Sequence, residues 1–218
     1  MALIKTKARG IANNAIGPDQ FDLTANYPFT GTVSGTNGMT LLQSLNETTD
    51  TDYASDVEIF NIDSYTSTYH TFFWEFSMYL TGNGNCHCHI AVADASTTVL
   101  SCRTIGNGMF DQGSAATPVT GTGSYHRWAS NAAGPNIVHS CAGYIFNGQR
   151  SDNDYDAQMQ FQSNWHYSGV GQAFANHSMT VTASGDQISR FILNNDGGSS
   201  SAASDFNARV KGSIWGVA

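Results

Sequence analysis

Between Tyr69 and Leu80 the chain alternates with a period of two. Phe72, Trp74, Phe76, Met78 and Leu80 fall on one side; Thr71, Glu75, Ser77 and Tyr79 fall on the other, and Phe73 is the exception. Successive side chains of a strand point to opposite faces, so this run specifies a long strand with one face in a core. Thr81-Gly82-Asn83-Gly84-Asn85 then turns, and Cys86 to Ala93 returns as the hairpin partner. A turn at Asp94-Ala95-Ser96 leads to a strand over 97–104, and 105–124 reads as a long Gly-rich loop. Further on, Met159, Phe161, Ser163, Trp165 and Tyr167 alternate with Gln158, Gln160, Gln162, Asn164 and His166. Ile137 to Phe146 is a strand ending at the turn pair Asn147-Gly148. Shorter strands follow over 178–183 and 188–193, and a loop over 194–204 precedes a last strand over 206–217.

Composition supports the same class. The chain has three Lys, three Glu and eight Leu against 22 Gly and 18 Asn, with 12 Phe, nine Tyr and four Trp. Helix formers are scarce and strand and turn formers abundant. That excludes a helical bundle, a coiled coil and most α/β enzymes. About eight antiparallel strands with regular turns predict an all-β fold, an antiparallel two-sheet β-sandwich of jelly-roll-like type. Its 218 residues suffice to bury a core without disulfide staples.

Residues 1–46 differ from the rest and are expected to form an extended N-terminal arm with a short hairpin, leaving 47–218 as the sandwich. The first ten residues carry Lys5, Lys7 and Arg9 as their only charges, while 11–218 hold six basic and 17 acidic groups. A small basic arm therefore precedes an acidic body, and the formal net charge of −8 argues against nucleic acid or an anionic membrane as the main partner. No apolar run approaches the ~20 residues of a membrane helix. The opening Met-Ala-Leu-Ile-Lys-Thr-Lys lacks the apolar core of a secretory signal, so a soluble protein made in the cytoplasm is expected.

Candidate chemistry is sparse. Cys86-His87-Cys88-His89 places four soft ligands in four residues, yet a strand sends the two Cys one way and the two His the other. One strand cannot wrap all four around one zinc, so the Cys read as core residues. His87 and His89 remain metal candidates only where symmetric copies meet on an axis. Cys102, on the expected neighbouring strand, falls within reach of Cys86 or Cys88, and Cys141 is the fourth; free buried thiols are favoured over a disulfide framework. Asp152-Asn153-Asp154-Tyr155-Asp156 begins like a calcium loop but has Ala157 and Ser163 where such loops need Gly and Glu. No nucleophile elbow, zincin or P-loop pattern occurs, and Glu75 is a lone acid on the polar side of its strand, whereas glycoside cleavage needs two. The expectation is a non-enzyme without a cofactor. Aromatic residues among Asn and Asp serve both sugar contact and subunit interfaces. Trp128, beside Arg127 and His126, and Tyr155, in the acidic loop, are the receptor-binding candidates on that ground.

The opening Gly10-Ile11-Ala12-Asn13-Asn14-Ala15-Ile16, then Asp22-Leu23 and Asn26-Tyr27-Pro28-Phe29-Thr30-Gly31-Thr32-Val33-Ser34-Gly35, resembles the start of small tail-fibre and virion structural proteins of marine and cyanobacterial tailed phages. Ile59-Phe60-Asn61-Ile62-Asp63-Ser64-Tyr65 is similar to the first strands of their C-terminal sandwich, and the closing strand through Val210 to Trp215-Gly216 is similar to their ending. The likeness covers most of the chain as loose patterns; it does not include Cys86 to His89. It implies a virion part, a homotrimer contacting other virion proteins, on the tail in preference to the head. Lys5, Lys7, Arg9, Ile11 and Ile16 would lie in the docking arm, with the sandwich projecting toward a host surface glycan. A short tail fibre or receptor-binding fibre is the expected role. The alternative is a capsid decoration or head-fibre protein, and a polysaccharide-degrading enzyme comes last.

Overall fold

The alternating segments fold as antiparallel strands in two packed sheets. In the computed structural model, the described residues are 38–53, 56–81, 85–110, 119–133, 137–147, 156–167, 171–182, 186–196 and 207–217. The strands are β1 (Met39–Asn46), β2 (Thr51–Asp52), β3 (Val57–Asn61), β4 (Thr71–Leu80), β5 (Asn85–Ala93), β6 (Cys102–Phe110), β7 (Val119–Gly123), β8 (His126–Ala133), β9 (Ile137–Phe146), β10 (Gln158–Tyr167), β11 (Gly171–Val181), β12 (Arg190–Asp196) and β13 (Asn207–Val217). The larger sheet runs β1-β13-β4-β9-β10-β11-β6-β7, with β2 alongside β13; the smaller runs β8-β5-β12-β3. The single pair Tyr167↔Ala132 joins them. Among the described residues the only helical element is a 3-10 turn, Asp63–Tyr65.

The core lies between the sheets and is aromatic. Trp74 and Phe76 on β4 meet Phe191 from β12 and Trp128 from β8, with ring centroids 4.6 Å apart for Trp74–Phe191 and 5.6 Å for Phe76–Trp128. Each such ring, fully buried, contributes roughly 1.5–3 kcal/mol by leaving water. Gly143 on β9 lets β10 approach closely: a Cβ there would run into the Gln160 carbonyl oxygen and the Cα and Cβ of Phe161. The alternation foreseen for β4 and β10 is observed, with Phe72, Trp74, Phe76, Met78 and Leu80 buried and Glu75 and Ser77 exposed.

Three expectations need correction. The described residues form 13 strands rather than about eight. Much of the expected loop at 105–124 is strand, because β6 and β7 are glycine-rich strands in which small residues permit close packing; Gly106 lies directly beneath the imidazoles of His177 and His126. The expected boundary at residue 46 also falls inside the sheet. Met39–Asn46 pairs with β13 from Met39↔Val217 to Asn46↔Lys211. Glu47 extends that attachment: its carboxylate accepts from Tyr53 Oη at 2.9 Å and from the Val210 N–H at 2.6 Å. Residues 1–37 of the expected arm lie outside the described residues.

Candidate functional site

The face of the larger sheet turned away from the core carries the candidate site. Side chains there are those of the odd positions of β4 and β13 and the even positions of β9 and β10, as alternation demands. Register sorts them into rows across the strands. Leu41 stands opposite Trp215, Trp215 opposite Phe73, and Phe73 opposite Tyr144. The rings touch: Phe73 is 5.3 Å from Trp215 and 5.2 Å from Tyr144, and Tyr144 stacks on Phe146 at 6.0 Å. Such cross-strand aromatic neighbours stabilise each other. Phe73, the exception in the β4 pattern, is half-buried by these partners. Leu41 and Tyr144 stay open, at 54% and 42% exposure.

The next two rows toward the opposite end of the strands are polar and hold no aromatic ring, with Ser213, Ala142, Ser77 and Ser140 as their smallest members. Ser213, Glu75, Ala142 and Gln162 form one, and Lys211, Ser77, Ser140 and Asn164 the other. Beyond them Arg209, Tyr79 and Val138 rise again as a ridge. Missing side-chain volume in the two central rows creates a trough. It shows as a depression of about 480 Å³ over Ser44, Glu75, Ser140, Gln162 and Lys211. It continues into one of about 640 Å³ beside Phe73, Tyr144, Gln160 and Asn176, sharing Ala142 and Gln162. Phe73 and Tyr79 are six residues apart on β4, so the ridges stand about 20 Å from each other.

A second cluster lies in the core. The Ser163 hydroxyl donates to the Trp128 carbonyl oxygen at 3.0 Å and sits 2.7 Å from His177 Nε2; His177 Nδ1 sits 2.7 Å from His126 Nε2. The proton positions follow by elimination. The Ser163 O–H is directed at the carbonyl, so His177 Nε2–H donates to the Ser163 oxygen and His177 Nδ1 accepts from His126 Nε2–H. Both imidazoles are neutral. Burial pushes His126 down to about 4, assisted by His89 and Arg127, and burial next to His126 pushes His177 down to about 3. This chain ties β8 of one sheet to β10 and β11 of the other. Ser163 is wholly buried and already bonded, so the cluster has the geometry of a structural clamp.

The residues singled out in the sequence are placed as follows. Trp128 is a correction: it is 1% exposed, packed edge-on against Phe76 in the core, and cannot touch a receptor. Its segment is strand β8, where His126 and Trp128 point inward and Arg127 does not; the polar neighbours disguised a two-residue alternation. Tyr155, Lys5, Lys7, Arg9, Ile11 and Ile16 lie outside the described residues, as do 152–154 of the calcium-like loop. His87 and His89 are half-buried on β5, and among the described residues no three His, Cys, Asp or Glu side chains converge. Cys88, Cys102 and Cys141 are buried. Cys102 is not opposite Cys88, because β6 crosses to the larger sheet and sets Cys102 against Val181 and Gly123. Burial raises its thiol to about 11 and raises Cys141 as well. Glu75 is exposed on the trough floor, as its position in the alternation predicted.

The trough residues were visible in the sequence only as separate patterns. Gln160, Gln162 and Asn164 stood out as the polar half of β10, and Phe73 as an exception; nothing in the order of residues placed Tyr144 and Trp215 on either side of Phe73. No family model, no curated protein and no solved structure matches the chain.

Proposed function

We propose that the protein is a virion structural component that attaches the particle to its host, a short tail fibre working as a homotrimer. The observation that carries the reading is the outer face of the larger sheet, where an exposed aromatic row borders a polar trough. Soluble proteins leave such surfaces uncovered where they bind something. The sequence likeness to phage tail-fibre and virion proteins, and the basic first ten residues ahead of an acidic body, support an anchored display role. Three copies presenting three troughs would turn modest single-site affinity into firm attachment. The arrangement calls for no catalytic step: among the described residues Glu75 is the sole carboxylate on the trough floor, and Ser163 is sealed in the core.

Deletion of residues 1–26 tests this reading, since the described sheet begins only at Met39. The shortened protein should fold with an unchanged urea midpoint, stay out of assembled particles, and leave them unable to adsorb to host cells. Particles that adsorb normally without it would refute the attachment role. Particles that lose stability but adsorb normally would identify a capsid decoration protein.

A further inference from the structure

We infer that the trough on the outer face of the larger sheet is a binding site for a short, uncharged glycan chain lying across the strands. This names the ligand class of the face on which the attachment reading rests. The first argument is charge. The chain carries −8 overall, yet among the described residues the floor between the ridges holds one carboxylate, Glu75, and one ammonium, Lys211, and its remaining polar groups are hydroxyls and carboxamides. An anionic or cationic ligand finds no field here, and a second copy of this acidic chain finds no compensating charge. A sugar hydroxyl needs a donor and an acceptor side by side, which is what each primary amide of Gln160, Gln162 and Asn164 offers.

The second argument is shape. Interface cores between proteins are apolar and filled to interior density. Here the centre of the patch is instead recessed and polar, with Ala142, Ser77, Ser140 and Ser213 in place of larger residues. The apolar groups stand at the side, as a wall formed by Trp215, Phe73 and Tyr144. A narrow, hydroxyl-rich chain fits that plan, its ring faces against the aromatic wall and its hydroxyls on the floor. From β1 to β10 the trough crosses five strands, about 19 Å at normal strand spacing, which suits an oligosaccharide better than a single sugar. Glu75 and Lys211 then accept from and donate to hydroxyls, with no bond broken.

The full-length protein can be titrated with four neutral tetrasaccharides: β-1,4-glucan, β-1,4-N-acetylglucosamine, α-1,4-glucan and β-1,4-mannan. Tetragalacturonate serves as the anionic control. Trp215 reports occupancy, because Trp74, Trp128 and Trp165 are buried and it alone of the four is half-exposed. At least one neutral probe should protect Trp215 from acrylamide quenching. Tyr144→Ala and Gln162→Ala, both at exposed positions, should each weaken that probe at least tenfold; Gln162→Ala should leave the melting temperature unchanged, and Tyr144→Ala, which gives up its ring contacts with Phe73 and Phe146, should lower it by only a few degrees. Binding of the anionic probe alone, no binding of any neutral probe, or equal affinity in both variants would overturn the assignment. So would oligomers in which Tyr144 is already shielded from solvent. Host adsorption by the same variants separates the two claims. Failure of every neutral probe to bind, with adsorption lost in both variants, would sink the glycan site and leave attachment standing. Glycan binding without adsorption would sink attachment and leave the site.

Discussion

Acid should unfold this protein through two histidines, and the size of the effect can be worked from the core. His126 and His177 are buried and neutral, held at about 4 and about 3 against 6.5 for the free side chain. In the unfolded chain both take up protons near 6.5, while in the folded chain neither does until the pH is far lower. Between those values the unfolded state binds more protons, so stability falls as pH falls. The contribution is complete above 6.5. At pH 5 each group lies 1.5 units below 6.5 and has cost about 2 kcal/mol at 1.36 kcal/mol per unit, or about 4 kcal/mol together. That is a large share of the 5–15 kcal/mol typical of a domain. The assay is urea unfolding by tryptophan fluorescence at pH 8, 7, 6 and 5. His177→Gln isolates one site, since its amide nitrogen can donate to Ser163 and its oxygen can accept from His126 Nε2–H. The variant should remain folded at pH 8 and lose about half of the pH-dependent drop assigned to the pair. A wild-type protein that weakens by less than about 1 kcal/mol between pH 7 and 5, or a variant with an unchanged slope, would refute the proton assignment.

Other substitutions test the packing. Trp128→Ala should cost about 3–5 kcal/mol in urea unfolding, because the ring fills the core against Phe76; a surface-like loss below about 0.5 kcal/mol would contradict its burial. Gly143→Ala should cost about 3 kcal/mol or prevent folding, since its Cβ would meet the Gln160 carbonyl at 2.1 Å; normal solubility and melting would show that β9 and β10 are not so closely apposed. At most one of the four thiols should react with a disulfide reagent in the native protein, because Cys88, Cys102 and Cys141 are buried. All four should react in urea, and fast native labelling of two or more would contradict the core arrangement.

How much of this was legible in the sequence follows from what alternation can encode. It fixes which face of a strand is buried, so β4, β9 and β10 and the outward position of Glu75 could be read directly. It fails where both faces of a strand have company or where glycine replaces side chains. β6 resembled a loop because Gly106 and Gly108 carry no pattern, although Gly106 is small for a reason: the His177 imidazole lies over it. Trp128 looked like a loop residue because His126 is polar, and only the hydrogen bond to His177 explains how that histidine can sit in the core. β1 was assigned to the arm because its attachment depends on pairing with β13, more than 160 positions away in sequence. The trough is a property of register. Phe73, Tyr144 and Trp215 lie on three strands, and no local signal places them in one row.

The most direct measurement of the central claim is cryo-EM of intact particles at a resolution that orients the sandwich. The account predicts copies on the tail, with residues 1–37 toward the particle and the Phe73–Tyr144 face turned outward and unoccupied by virion protein. Copies spread over the head with that face pressed against the shell, or particles without the protein, would contradict it.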